Sequence, residues 1–188
     1  MKQPVLQNNL QSLLESAENI LLLQGPVGDF FQRLAGWLTA NGKTVHKFNF
    51  NAGDDYFYPP TQAHTVVFND SYDAFPEFLQ EYIVQHHIQA VVCFGDTRPY
   101  HVIAKRIANE NQVGFWAFEE GYFRPYYITL EKDGVNAFSP LPRRADFFLE
   151  QFPKLAQQEY KAPTPVRGGF MPMAKNAVRY YIELFRNP

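Results

Sequence analysis

Only one cysteine, Cys93, stands among the 188 residues. That excludes a disulfide framework and any zinc site built on several thiolates. Set inside the apolar run AVVCFGD, it reads as a small buried hydrophobe. Positive charge is short as well. Seventeen Lys and Arg face nineteen Asp and Glu, a formal net charge of -2, so the basic excess that bulk nucleic-acid binding needs is missing. No apolar run approaches the roughly 20 residues of a membrane span, and the opening MKQPVLQNNLQ lacks the apolar core of a secretion signal. A cytoplasmic location is expected. His and acid spacings offer no metal-ligating pattern, and His86-His87 read as surface residues. A small α/β-hydrolase is disfavoured because no G-x-S-x-G elbow occurs. What the chain has in plenty is aromatic residues: 18 Phe and 11 Tyr, more than a core of this size uses, so some should line a cleft or an interface.

Apolar periodicity organises the first two thirds. Leu6, Leu10, Leu13, Leu14 and Ala17 predict a short helix over 5–17. NILLLQG predicts a buried strand, and GDFFQRLAGWLTANG a helix burying Phe30, Phe31, Leu34 and Leu38 and stopped by Asn41-Gly42. KTVHKFNF is a second strand, NAGDDYFYPP a loop and HTVVFND a third strand. A helix follows with Phe75, Phe78, Leu79, Tyr82 and Ile83 on one stripe. QAVVCFGD is a fourth strand, RPYHVIAKRIANENQ a helix with Tyr100, Ile103, Ala104 and Ile107 inward, and VGFWAFEE a fifth strand. Strands alternating with helices of this length make βαβ units, and near-continuous apolar strands make a parallel sheet covered on both faces. The expected fold is α/β, a Rossmann-like doubly wound parallel sheet. After Glu131 the rhythm fails. Residues 1–160 are expected to form this lobe and the Pro- and Gly-rich 161–173 a linker. Residues 174–188 read as a helix whose stripe, Ala174, Ala177, Val178, Tyr181, Ile182 and Phe185, either packs back or leads toward a second lobe.

Ligands of such sheets sit outside the carboxyl ends of the strands, and four of these ends are polar. In QGPVGDFF, Gly25 and Gly28 permit close backbone approach to an anion or a sugar hydroxyl, or simply shape a tight turn. In GDTRPYH, Asp96 either caps the next helix or joins a site. Arg98 and His101, three apart on a first helical turn, form a grip for a carboxylate or phosphate, or else Arg98 fixes the loop through Asp96. In FEEGYFRP, adjacent Glu119 and Glu120 point to opposite sides of an extended chain. Gly121 lets the backbone turn, Tyr122 offers a sugar-stacking face and Arg124 a planar fork for an acid. A carboxylate beside an arginine stays ionised, which suits a nucleophile or an electrostatic stabiliser. The plain structural alternative is a buried Glu–Arg pair that holds the loop.

Three blocks in order, LLLQGPVGDFFQRLAGWLTANGKTVHKFNFNAGD, FGDTRPYH and FEEGYFRPYYITLEKDGVNAFSPLP, resemble the amino-terminal half of the KpsS/LipB-type capsule polysaccharide synthesis proteins, over roughly residues 19–142. The resemblance implies one lobe of a GT-B glycosyltransferase. It implies a β-Kdo transferase with CMP-Kdo as donor and a phosphatidylglycerol-type lipid as acceptor, starting the linker of a capsular polysaccharide, with retention of configuration and no cofactor or metal. In related Kdo transferases an EDGF-type motif carries the acidic nucleophile, and the matching position here is Glu120. Glu119 would then orient it or act as base. Arg98 and Arg124 would hold the Kdo carboxylate or acceptor phosphate, with Tyr100 and Tyr122 as stacking walls. Members of this family run to about twice this length, so a second glycosyltransferase lobe or capsule assembly proteins are expected partners, and this chain by itself is expected to be inactive and to bind CMP-Kdo weakly. The rival expectation is a non-catalytic module that binds the acceptor or a partner. A lipid acceptor also suggests peripheral association with the inner face of the cytoplasmic membrane, with Tyr56, Phe57 and Tyr58 at the head groups.

Overall fold

A computed structural model describes residues 8–122, 127–155 and 171–186. Six strands form one sheet: β1 (Asn19–Leu22), β2 (Thr44–Asn49), β3 (Thr65–Val67), β4 (Ala90–Phe94), β5 (Gly114–Glu120) and β6 (Ile128–Lys132). The helices are α1 (Asn9–Ser16), α2 (Phe30–Ala40), α3 (Ala52–Phe57), α4 (Phe75–Gln85), α5 (Pro99–Glu110), α6 (Ala145–Leu155) and α7 (Met171–Arg186). The order across the sheet is β3-β2-β1-β4-β5-β6. Strands β1 to β5 are parallel, and β6 returns antiparallel to β5. The doubly wound α/β fold expected from the alternating pattern is therefore present.

Strand parity divides the core into two layers. Leu21, Phe48, Val91, Phe115 and Ala117 face one side and pack with α4 and α5 through Phe75, Leu79, Ala104 and Ile107. Ile20, Leu22, Val45, Val92, Trp116 and Phe118 face the other and pack with α1 and α2 through Leu13, Phe31, Leu34 and Leu38. Both faces of the parallel strands are covered, which is why their sequences read as unbroken apolar runs. Cys93 lies in the first layer, fully buried, and burial pushes its thiol up.

Three elements depart from the expectations. NAGDDYFYPP is not a loop throughout. Asn51 accepts from the Asp54 N–H at 3.0 Å, and Asp54 and Asp55 occupy the first turn of α3, a favourable charge at a helix start. The stretch ITLEK, inside the segment where the rhythm was lost, is the edge strand β6, held in register by Glu119 opposite Thr129 and Glu120 opposite Ile128. The expected carboxyl-terminal helix starts earlier, at Met171, and packs back on α3, with Tyr180 against Gly53 and stacked near Phe57. Its expected stripe is split. Ala174 and Ala177 are half-buried, while Val178, Tyr181, Ile182 and Phe185 are exposed, Phe185 by 87%. The expected linker falls mostly outside the described residues.

Candidate active site

The sheet order reverses between β1 and β4, so the loops after these strands leave on opposite faces, the switch point at which folds of this kind bind their ligands. Backbone bonds continue beyond the strands and draw the tips together. The Leu23 N–H donates to Val92 at 2.8 Å, the Phe94 N–H to Gln24 at 3.2 Å and the Gly95 N–H to Phe118 at 2.8 Å. Arg98, the residue before α5, reaches across and donates from Nη1 to the Gly25 carbonyl at 3.3 Å. The first loop and the β4 loop are thereby fastened to each other. Gly28 adopts a left-handed φ of 121°, and a Cβ at Gly25 would meet the Phe31 ring at 3.0 Å. Close packing against α2 and a tight turn thus both require glycine here.

Glu119 and Glu120 end β5. Parity puts Glu119 on the α5 side, where its Oε2 lies 3.8 Å from a Cβ built on Gly95. Its two oxygens accept from the Glu120 N–H at 2.9 Å and from Asn136 Nδ2 at 3.3 Å, and the side chain is half-buried. Glu120 is exposed, on the side of Phe118, whose ring centroid lies 5.3 Å from that of Phe30 at the start of α2. The two carboxylates therefore straddle the sheet edge, as the extended chain requires. Gly121 turns the chain immediately after them. Its N–H donates to the Tyr127 carbonyl at 2.7 Å, and a Cβ there would lie 2.4 Å from that oxygen. Only glycine fits.

Asp96 does not cap α5. It is buried and its Oδ2 accepts from the Val135 N–H at 2.9 Å, pinning the turn after β6 to the β4 tip. His101 does not share a grip with Arg98. It is fully buried, its ring Nδ1 stands 2.6 Å from the Gly95 carbonyl, and burial lowers its pKa to about 4. As the carbonyl can only accept, Nδ1 carries the proton of the neutral ring. Tyr122 is 57% exposed, and its hydroxyl donates to Glu131 Oε1 at 3.2 Å. Glu131 also accepts from Ser139. Arg124 lies outside the described residues. Tyr100, expected as a stacking wall, stacks at 4.4 Å on Phe50, among core aromatics. The proposed head-group triplet is broken up: Tyr58 is buried, Phe57 is stacked with Tyr180, and Tyr56 is 46% exposed beneath the Arg179 guanidinium. Its three rings do not form one exposed surface because α3 places them on different sides.

The polar tips of β1 and β2, QGPVGD and NFNAGDDYFYP, form a second cluster, in which the parts of Lys47 and Tyr180 were not foreseen. Lys47 is buried on β2, its Nζ donates to the Phe48 carbonyl, and burial lowers its pKa to about 8 against the pull of Asp54 and Asp55. Asp54 accepts from the Phe50 N–H at 3.0 Å, from Gln24 and from the Tyr180 hydroxyl. The signal for it was Lys47 itself, a charge inside a strand covered on both faces. Among the described residues no grouping of three His, Cys, Asp or Glu is placed to hold a metal, and no helix is long and apolar enough to cross a membrane.

Sequence comparison adds the family. The chain is 94% identical over all its 188 residues to capsule polysaccharide modification protein LipB of Neisseria meningitidis serogroup B, covering 45% of that protein. It matches the serogroup A counterpart equally, 94% over 187 residues and 45% of its length. It is 38% identical over 179 residues to capsule polysaccharide export protein KpsS of Escherichia coli, 94% of this chain and 44% of that one. The chain thus spans less than half the length of the relatives it matches. Residues 89–188, which hold β4, β5 and the carboxylate pair, match the family described as capsule polysaccharide biosynthesis protein, and the chain belongs to that family.

Proposed function

We propose that this chain serves capsule polysaccharide biosynthesis as a lobe of a retaining β-Kdo transferase, taking Kdo from CMP-Kdo to a phosphatidylglycerol-type lipid. The observation that carries the reading is the pair of carboxylates straddling the β5 tip beside the switch point. Glu120, exposed and on the side of the first loop, is the nucleophile. Its carboxylate oxygen bonds to the anomeric carbon of Kdo as the bond from that carbon to the CMP phosphate oxygen breaks, and CMP departs with the electron pair. The acceptor hydroxyl then attacks the same carbon, the ester bond to Glu120 breaks, and the hydroxyl proton passes to Glu119. Two inversions return the original configuration, as in retaining glycosidases. Glu119 is suited to its part because Asn136 and the Glu120 N–H hold its carboxylate in place. Arg98 and Arg124 hold the anionic groups of donor or acceptor, and Tyr122 borders the site. Asp96 and His101 act as positioning residues that tie the β4 loop down, and Gly25 and Gly28 allow close approach. The chemistry asks for no metal or cofactor, since CMP is its own leaving group.

The nucleotide half of the donor site is assigned to a second lobe, consistent with relatives about twice as long. The test is transfer from CMP-Kdo to a phosphatidylglycerol analogue by a chain carrying both halves. Glu120→Gln is expected to lower the rate by at least about a thousandfold, the scale of losing a nucleophile, and Glu119→Gln by less. Near-normal transfer by Glu120→Gln would remove the assignment. A second reading, a binding module without chemistry, draws on the exposed apolar faces of α6 (Phe148, Leu149, Phe152) and α7. It would gain if the two-lobed protein bound the lipid but transferred nothing.

A further inference from the structure

Tyr180 enters the fold from α7 and fills the polar notch at the tips of β1 and β2. Its hydroxyl donates to Asp54 Oδ1 at 3.2 Å and accepts from Gln24 Nε2 at 3.1 Å. A hydroxyl bridged by a carboxylate and a carboxamide is how proteins hold a sugar hydroxyl, with one group accepting and the other donating. The ring of Tyr180 lies against Gly53, so close that a Cβ there would stand 2.5 Å from it. Phe57 lies nearly parallel, its centroid 6.4 Å away at 16°. With Tyr180 in place the remaining space is about 20 Å³, room for a single water. Without it, the notch has a bare backbone floor, an aromatic wall, a hydroxyl-binding pair and the buried Lys47 at its lining.

We infer that this notch is a sugar-binding subsite and that Tyr180 occupies it as a stand-in for one ring hydroxyl and the ring face of the ligand. The subsite sits at β2, three strand spacings from the β5 carboxylates, or about 14 Å at ~4.8 Å per strand. It is therefore separate from the reacting atoms and stands whether or not the transfer reading holds. Sugar and α7 compete for one place, so binding requires Tyr180 to withdraw. The Arg179 guanidinium lies 4.6 Å from the Tyr56 ring centroid, a contact between α7 and α3 that does not involve Tyr180.

Saturation-transfer NMR with Kdo and with glucose, an acidic and a neutral sugar, tests this on the intact protein and on Tyr180→Ala. The variant is expected to bind at least one of the two about tenfold more tightly than the unaltered protein. Adding Gln24→Ala to that variant should abolish the gain, because the hydroxyl loses its donor. Hydrogen exchange on the unaltered protein supplies a readout independent of the variant's folding: a saturating concentration of the sugar should speed exchange of the α7 amides. The inference is overturned if Tyr180→Ala binds neither sugar better, if the gain survives Gln24→Ala, or if sugar leaves α7 exchange unchanged. A result with Kdo alone, or with glucose alone, supports the subsite and names its preference. Transfer that survives Glu120→Gln would leave these outcomes untouched.

Discussion

The edge of one sheet carries two polar regions that are built in opposite ways. At the β5 tip, Glu119 is half-buried and Glu120 exposed, with backbone bonds and a buried Asp96 fixing the loops around them. At the β2 tip, Lys47 and Asp54 are buried, and a tyrosine from a distant helix completes the site. The first keeps charge available and spends its rigidity on the backbone. The second hides charge and closes the space with a removable side chain. Open charge on a fixed frame suits covalent chemistry, which needs reacting atoms held in place. Hidden charge under a side-chain plug suits selective binding.

The largest effect is expected where the frame is tightest. Gly121→Ala puts a methyl group against the Tyr127 backbone, which cannot give way as a flexible side chain would. The chain should lose about 3 kcal/mol in urea unfolding. A loss under 1 kcal/mol would mean the β5 tip is looser than the comparison holds.

An acid titration sharpens it further. His101 is held near pKa 4 by burial and titrates near 6.5 when unfolded. Its folded pKa is lowered, so the unfolded chain binds the proton first as pH falls. Stability should be flat in this group above 6.5 and decline from 6.5 toward 4, by about 3 kcal/mol. His101→Phe should flatten part of that decline. His46, also held near 4 by burial with His64 and His86 beside it, contributes in the same direction. If stability held constant down to pH 4, the sealed β4 loop would be in error.

The smallest effect belongs to the plugged region. Lys47 is buried with its pKa pulled down, so its charged form costs stability at neutral pH. Lys47→Met is expected to raise the unfolding free energy at pH 7 by about 1 kcal/mol, and to lose that gain as pH rises through 8, where the folded lysine gives up its proton before the unfolded one does. Destabilisation at pH 7 would show that Lys47 holds the fold together through its bond to Phe48.

Much of this molecule could be read before any coordinates, and what escaped did so for identifiable reasons. The parallel core announced itself because strands buried on both faces leave unbroken apolar runs such as NILLL and AVVCF. The polar strand tips followed from where those runs end. Strand β6 was missed because an edge strand is buried less evenly: Glu131 is its buried position and Ile128 is exposed. Helix α3 was missed because six residues show no period, although Asn51 and the two acids after it are a helix-start signature. The Tyr180 notch joins residues 24, 54 and 180, and no local pattern encodes a contact across 126 positions. His101 and Asp96 looked like ligand contacts because polar residues at a strand tip invite that reading, whereas here they are the bolts of the loop.

The most direct test of the central claim is to trap the covalent sugar. The two-lobed protein would be mixed with CMP-Kdo without acceptor, quenched in acid, digested and analysed by mass spectrometry. A Kdo adduct on the peptide containing Glu120, absent from Glu120→Gln, is the expected result. An adduct on any other residue, or full transfer by Glu120→Gln with no adduct at all, would contradict it.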